Sequence, residues 1–183
     1  MMIPIVIIGK QMIAIEMQRQ AMELFPPYAF KSDYETATEK IDLAIKLAPK
    51  KYLFYVTKAQ ILENQKKFHE ANLVFKQIFK FKHDYAEGYI FVAFNYERMN
   101  MKDSAIVEYE NALTAYNYRI EKYKDDLDRL FSEKLNRAFV FKQLGYTDKV
   151  ENEFKLLKTE FPDHIGIIES VENSEFDVFE IEY

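Results

Sequence analysis

The sequence predicts an all-α fold of stacked, antiparallel helix pairs, and two observations carry that prediction. The first is a recurrence of residue types at an interval of 34: Ala59, Leu62, Ala71, Phe75 and Ile78 are answered by Ala93, Tyr96, Ala105, Tyr109 and Ala112. A fixed period in this range marks supersecondary units that stack because none can bury its apolar face alone. The second is the internal pattern of each unit, two stretches of helical periodicity joined by a polar turn. The turn is Asn64-Gln65-Lys66-Lys67 in one unit and Met99-Asn100-Met101-Lys102 in the next.

Taken in order, Met2 to Ile8 is apolar. It does not read as a targeting signal, since no basic residue precedes it, Lys10 interrupts it and no small-residue cleavage site follows. It is also far shorter than the roughly 20 residues a membrane span needs. From Gln11 to Leu24 apolar residues at Ile13, Met17, Ala21 and Leu24 predict a first helix, stopped by Pro26-Pro27. Ser32 followed by Glu35 has capping-box spacing and opens a second helix through Ala37, Ile41, Ala44 and Ile45 to Pro49. The clear units follow, with helices expected near Tyr52 to Asn64, Phe68 to Lys80, Ala86 to Met99 and from Asp103 onward.

After Ala112 the register changes, because Ala138 lies 45 rather than 34 residues beyond Ala93. The eleven extra residues are close to three helical turns, so two elongated helices keep the apolar face in phase. They are expected to run from Asp103 to about Lys124 and from about Asp126 to Gln143, with an aspartate as cap, and to project past the rest. Ile120, Tyr123, Leu127, Leu130 and Phe131 would then be partly bare unless a second copy or the N-terminal segment covered them. Asp163 to Val171 is predicted as a short closing helix, with Ile165, Ile168 and Val171 on one face.

The 34-residue frame, with alanines at 59 and 93, a further one at 138, and Gly145 at an inter-helix turn, resembles the tetratricopeptide repeat family. About four repeats cover residues 11–162, approximately 11–49, 50–83, 84–117 and 127–162, and two of them (52–119) are clear. The resemblance implies a right-handed superhelical array forming a single domain over 1–171, with the closing helix at 163–171 and an acidic, aromatic tail at 172–183. The first repeat fits if its turn is about four residues longer, which Phe25 to Ala29 supplies. His83 stands where the family commonly has proline. The resemblance also implies a concave face made by the first helix of each repeat. Carried over by register, that face holds Leu53, Val56, Gln60 and Glu63, then Ile90, Phe94 and Glu97, then Leu135, Phe139 and Lys142, with Gln18 and Met22 added by the first repeat. Some relatives carry a Lys, Asn and Arg clamp for a terminal carboxylate on this face. The matching places here are Val56, Gln60, Phe94, Leu135 and Phe139, so that clamp is absent. An apolar, aromatic groove suits an amphipathic helix or an extended hydrophobic segment, unless the chain's own termini cover it.

Composition agrees with a helical protein and excludes several other classes. The chain has 183 residues, 49% hydrophobic and 30% charged, which is incompatible with disorder through most of its length. Its net charge of -5 gives no overall basic field for nucleic acid. The absence of cysteine removes thiol chemistry and fits a reducing compartment, so the expected location is cytoplasmic, although a secreted chain after signal removal would look the same. His69, His83 and His164 are far apart with no metal-ligand spacing, and Asp125, Asp126 and Asp128 read as a helix start rather than a calcium loop. No phosphate-cradling loop appears, and no carboxylate pair stands out. Lys76, Lys80 and Lys82 read as cations at a helix C-terminus.

The sequence therefore points to a non-catalytic adaptor or scaffold that holds a segment of another polypeptide, with no cofactor, no metal and no nucleic acid. The competing reading is a self-assembling subunit, such as a homodimer, with its groove closed by a second copy or by its own termini. In the tail, Phe179, Ile181 and Tyr183 alternate with Glu180 and Glu182. That pattern fits a frayed end, an extended strand or an arm lying on the groove around Phe94 and Phe139 or on the closing repeat.

Overall fold

The computed structural model describes residues 3–174, with side chains from Gly9 onward. Among these residues there are nine α-helices, one 3-10 turn and no strand. The chain packs as two compact units, the first ending at Lys82 and the second beginning at His83.

The first unit holds α1 (Ile3–Met22), α2 (Tyr34–Leu47), α3 (Tyr52–Asn64) and α4 (Phe68–Phe79). Small residues let the helices approach: Ala14, Ala21, Ala37, Ala44, Ala59 and Ala71 are all fully buried, with Phe54, Phe75, Ile41 and Ile78 filling the space between. Backbone and side-chain bonds fix α1 antiparallel to α2, the Asp33 N–H donating to the Leu24 carbonyl at 2.8 Å and Lys40 Nζ to Gln20 Oε1 at 2.8 Å. Three sequence expectations need correction in this unit. The first helix begins at Ile3 rather than near Gln11. Its buried positions are Ala14, Ala21 and the following Phe25, whereas Ile13 is 53% exposed, because the helix is apolar on several sides and the close alanine contact sets its phase. The cap of α2 is Asp33, whose carboxylate accepts from the Thr36 N–H at 3.1 Å, and not Ser32.

The second unit holds α5 (Ala86–Arg98), α6 (Lys102–Lys122), α7 (Leu127–Gln143), α8 (Thr147–Glu160), a 3-10 turn at Pro162–His164 and α9 (Ile165–Asn173). Successive helices pack on one another, and α9 lies against both α7 and α8. Ala93, Ala105, Ala112 and Ala138 are buried to within 2%. The elongation is present: α6 has 21 residues where α4 has 12, and Asp126 caps α7 by accepting from the Arg129 N–H at 3.2 Å. Of the residues expected to be partly bare, Phe131 is not. Phe131 is buried by the chain's own end, its ring 5.2 Å from Phe161 and 4.3 Å from His164, so neither a second copy nor the N-terminal segment is needed there. Leu127 stays 68% exposed. The tail pattern at Phe179, Ile181 and Tyr183 lies outside the described residues.

The 34-residue frame reappears in the backbone. Lys66, Asn100 and Gly145 have φ of 59°, 57° and 69°, the left-handed region, and they stand 34 and 45 residues apart as the alanines do. Each ends its helix in the same way. The next residue's N–H returns five positions, Lys67 to Leu62, Met101 to Tyr96 and Tyr146 to Phe141, at 2.9, 2.8 and 3.0 Å. The left-handed residue itself donates to Glu63, Glu97 and Lys142 at 2.8, 2.8 and 3.0 Å, which completes a Schellman motif in all three.

Candidate functional site

The residues expected on the concave face divide between the two units. In the first, Leu53 is 43% exposed, and Val56, Gln60 and Glu63 are half-buried along α3. Gln18 of α1 pins the start of this helix, its Nε2 donating to Thr57 Oγ1 at 2.8 Å and to the Leu53 carbonyl at 3.2 Å. Met22 packs against the core of the same unit.

In the second unit the geometry is more specific. Phe94 of α5 and Phe139 of α7 meet edge to face, with centroids 6.3 Å apart and planes at 89°. Phe94 also meets the buried Tyr109 ring at 6.2 Å and 73°. Such T-shaped contacts place a positive ring edge on a negative ring face and fix both side chains. Ile90 is 9% exposed beneath them. Tyr109 donates its hydroxyl to Glu97 Oε1 at 3.0 Å, and burial, reinforced by that carboxylate, raises the phenol well above its ordinary range. The phenol therefore stays a donor and holds Glu97 in place. Ile90, Phe94, Glu97 and Phe139 thus form one half-buried aromatic patch with an acidic margin.

Leu135 and Lys142 are occupied differently. Leu135 belongs to the cluster of Phe131, Ala138, Phe154, Leu157, Phe161 and Ile168. Lys142 Nζ donates to the carbonyls of Val171, Glu172 and Ser174 at 3.1, 3.0 and 2.6 Å, which neutralises the negative end of α9. Sequence register put both in the groove; the structure ties Lys142 to the end of α9 and packs Leu135 against this cluster.

The most polar buried arrangement was not anticipated. Arg119 of α6 donates to both oxygens of Glu87 at 2.8 Å and to Glu133 Oε1 at 2.5 Å, joining α5, α6 and α7. Beside it Lys122 pairs with Asp84 at 3.2 Å. A second link, Arg137 to Glu153 at 2.6 Å and to Asn117 at 2.8 Å, joins α6, α7 and α8. A signal was present in the sequence. Arg119 falls in phase with the buried stripe Ala105, Tyr109, Ala112 and Tyr116, and a charge on such a stripe must find a partner. Among the described residues, no group of three His, Asp or Glu side chains is placed to hold a metal ion. No protein-family model and no curated protein matches the chain.

Proposed function

We propose that the chain is a tetratricopeptide-like, right-handed superhelical array that acts as a non-catalytic interaction module, binding a polypeptide segment through its apolar and aromatic concave face. The observation that supports this reading most is the Phe94 and Phe139 pair, two large rings left half-buried at the place the register assigns to ligand contact. Rigid aromatic side chains give contact area at little cost in conformational entropy, which is why they recur as interaction anchors. The recurrent Schellman turns at Lys66, Asn100 and Gly145 support the repeat frame on which this assignment depends.

The test is selection of a displayed peptide library on the immobilised full chain, followed by affinity measurement on Phe94→Ala/Phe139→Ala. Amphipathic or extended apolar peptides should be enriched, and the double variant should bind them at least roughly tenfold more weakly while its thermal midpoint shows that the fold persists. Failure to enrich any apolar peptide, or binding unchanged in the folded double variant, would remove the reading.

A further inference from the structure

We infer that α1 is a membrane-surface anchor, its first two turns entering the apolar layer of one lipid leaflet while lysines at its base meet anionic headgroups. The register against α2 shows how far the helix projects. Leu24 lies beside Asp33 and Gln20 beside Lys40, so Lys10 comes level with the end of α2, between Leu47 and Lys50. Ile3 to Gly9 therefore extend beyond it, by roughly 10 Å at 1.5 Å per residue.

The composition of that extension selects the surroundings. Ile3, Pro4, Ile5, Val6, Ile7 and Ile8 are consecutive, and at about 100° per residue six consecutive positions go all the way round a helix. A protein partner contacts one stripe and leaves the opposite side wet. Surroundings that are apolar in every direction are those of a lipid tail layer. The extension suits one leaflet of a hydrocarbon core about 30 Å thick, and no helix among the described residues is long and apolar enough to cross both. Met12, Ile13 and Ile15, at 66%, 53% and 45% exposure, continue the apolar surface down to the base.

Charge points the same way. The whole chain carries -5, yet residues 1–15 and 43–62 contain no acidic residue, and Lys10, Lys46, Lys50 and Lys51 stand in these stretches. Of the flanking carboxylates, Asp42 pairs with Lys58 at 2.6 Å, and Glu16 pairs at 2.7 Å with Arg19, which also pairs with Glu23. Lysines beside an apolar insertion add electrostatic attraction to anionic lipid and extend their stems toward the interface.

The experiment is co-sedimentation of the full chain with vesicles of phosphatidylcholine alone and mixed with phosphatidylserine, with light scattering on the lipid-free protein. Binding should require phosphatidylserine, weaken roughly fivefold for each of Lys46→Gln and Lys50→Gln, and disappear in Ile5→Asp/Ile7→Asp. The isoleucine substitutions fall on the part of α1 that runs past the end of α2, and the thermal midpoint, measured alongside, should hold. Absence of binding to either vesicle, or binding that survives Ile5→Asp/Ile7→Asp, overturns the inference. So does a dimer that the same double substitution dissolves, because it would assign the extension to a second copy.

Discussion

Arg119 donates to Glu133 across the α6 and α7 interface at 2.5 Å, and the carboxylate that receives it is only 5% exposed. Burial pushes the Glu133 carboxyl above its ordinary value of 4.5; Arg119 opposes the rise, and Glu87 and Asp84 add to it. The pair is therefore a specific link whose desolvation cost is not wholly recovered. Buried ion pairs of this kind fix which helices pack together more than they add stability.

Two consequences follow for stability. Arg119→Met leaves Glu133 buried beside Glu87 without a cation and should cost about 3 to 5 kcal/mol, whereas Glu87→Leu/Arg119→Met/Glu133→Leu should recover most of it. The pH dependence has a definite sign. A carboxyl raised in the folded state binds its proton more tightly there than in the unfolded chain, so its contribution is lost as pH rises from about 4.5 through the raised value. Glu133→Gln, which still accepts from Arg119, should flatten that fall. Chemical denaturation of the variants from acid to neutral pH measures both effects.

The inter-helix turns give a second prediction. Lys66 and Asn100 hold a left-handed backbone that glycine adopts freely, and Gly145 holds the same one with nothing within 4 Å of an added Cβ. Lys66→Gly should stabilise by about 0.5 to 1 kcal/mol, and Gly145→Ala should destabilise by about 1 kcal/mol with backbone conformation as the only cause. Asn100→Gly should gain less, since asparagine tolerates this region. Unfolding midpoints that fail to separate Lys66→Gly from Gly145→Ala in sign would mean that the three turns are not equivalent.

These turns also show what was legible in the sequence. The spacing of Ala59, Ala93 and Ala138 placed the helices of the middle repeats to within a residue or two, because a small residue at a close helix contact has few substitutes. The phase of α1 was not legible. Ile13, Ala14, Ile15 and Met17 are all apolar, and only the packing of Ala14 toward α2 chooses among them. The aromatic patch was legible in part. Register alone put Phe94 near Phe139, but it had no means of finding that Lys142, one turn further along α7, is claimed by the carbonyls of α9. The ion cluster was missed because Glu87 and Glu133 are 46 residues apart and meet only through Arg119.

The last prediction concerns how α9 is held. Its only fully buried side chain is Ile168, with Val171 partly covered beside it. For so short a helix, three bonds from one ammonium at the C-terminus are a large share of the attachment. Lys142 supplies them, and Lys158 adds a bond to Glu172 at 2.6 Å. Lys142→Met keeps an unbranched aliphatic side chain at this position of α7 and removes the donors. The carbonyls of Val171, Glu172 and Ser174 then lose their shared partner, and the helix end loses its counter-charge, an effect of about 0.3 to 1 kcal/mol by itself. Local opening rather than global unfolding is the expected result, because the Phe131, Phe154 and Leu157 core beneath does not depend on the ammonium. Amide exchange should therefore speed up from Ile168 to Ser174 and stay unchanged in α7 and α8. If exchange accelerated equally across α7, α8 and α9, Lys142 would be supporting the whole closing repeat and α9 would have no independent opening.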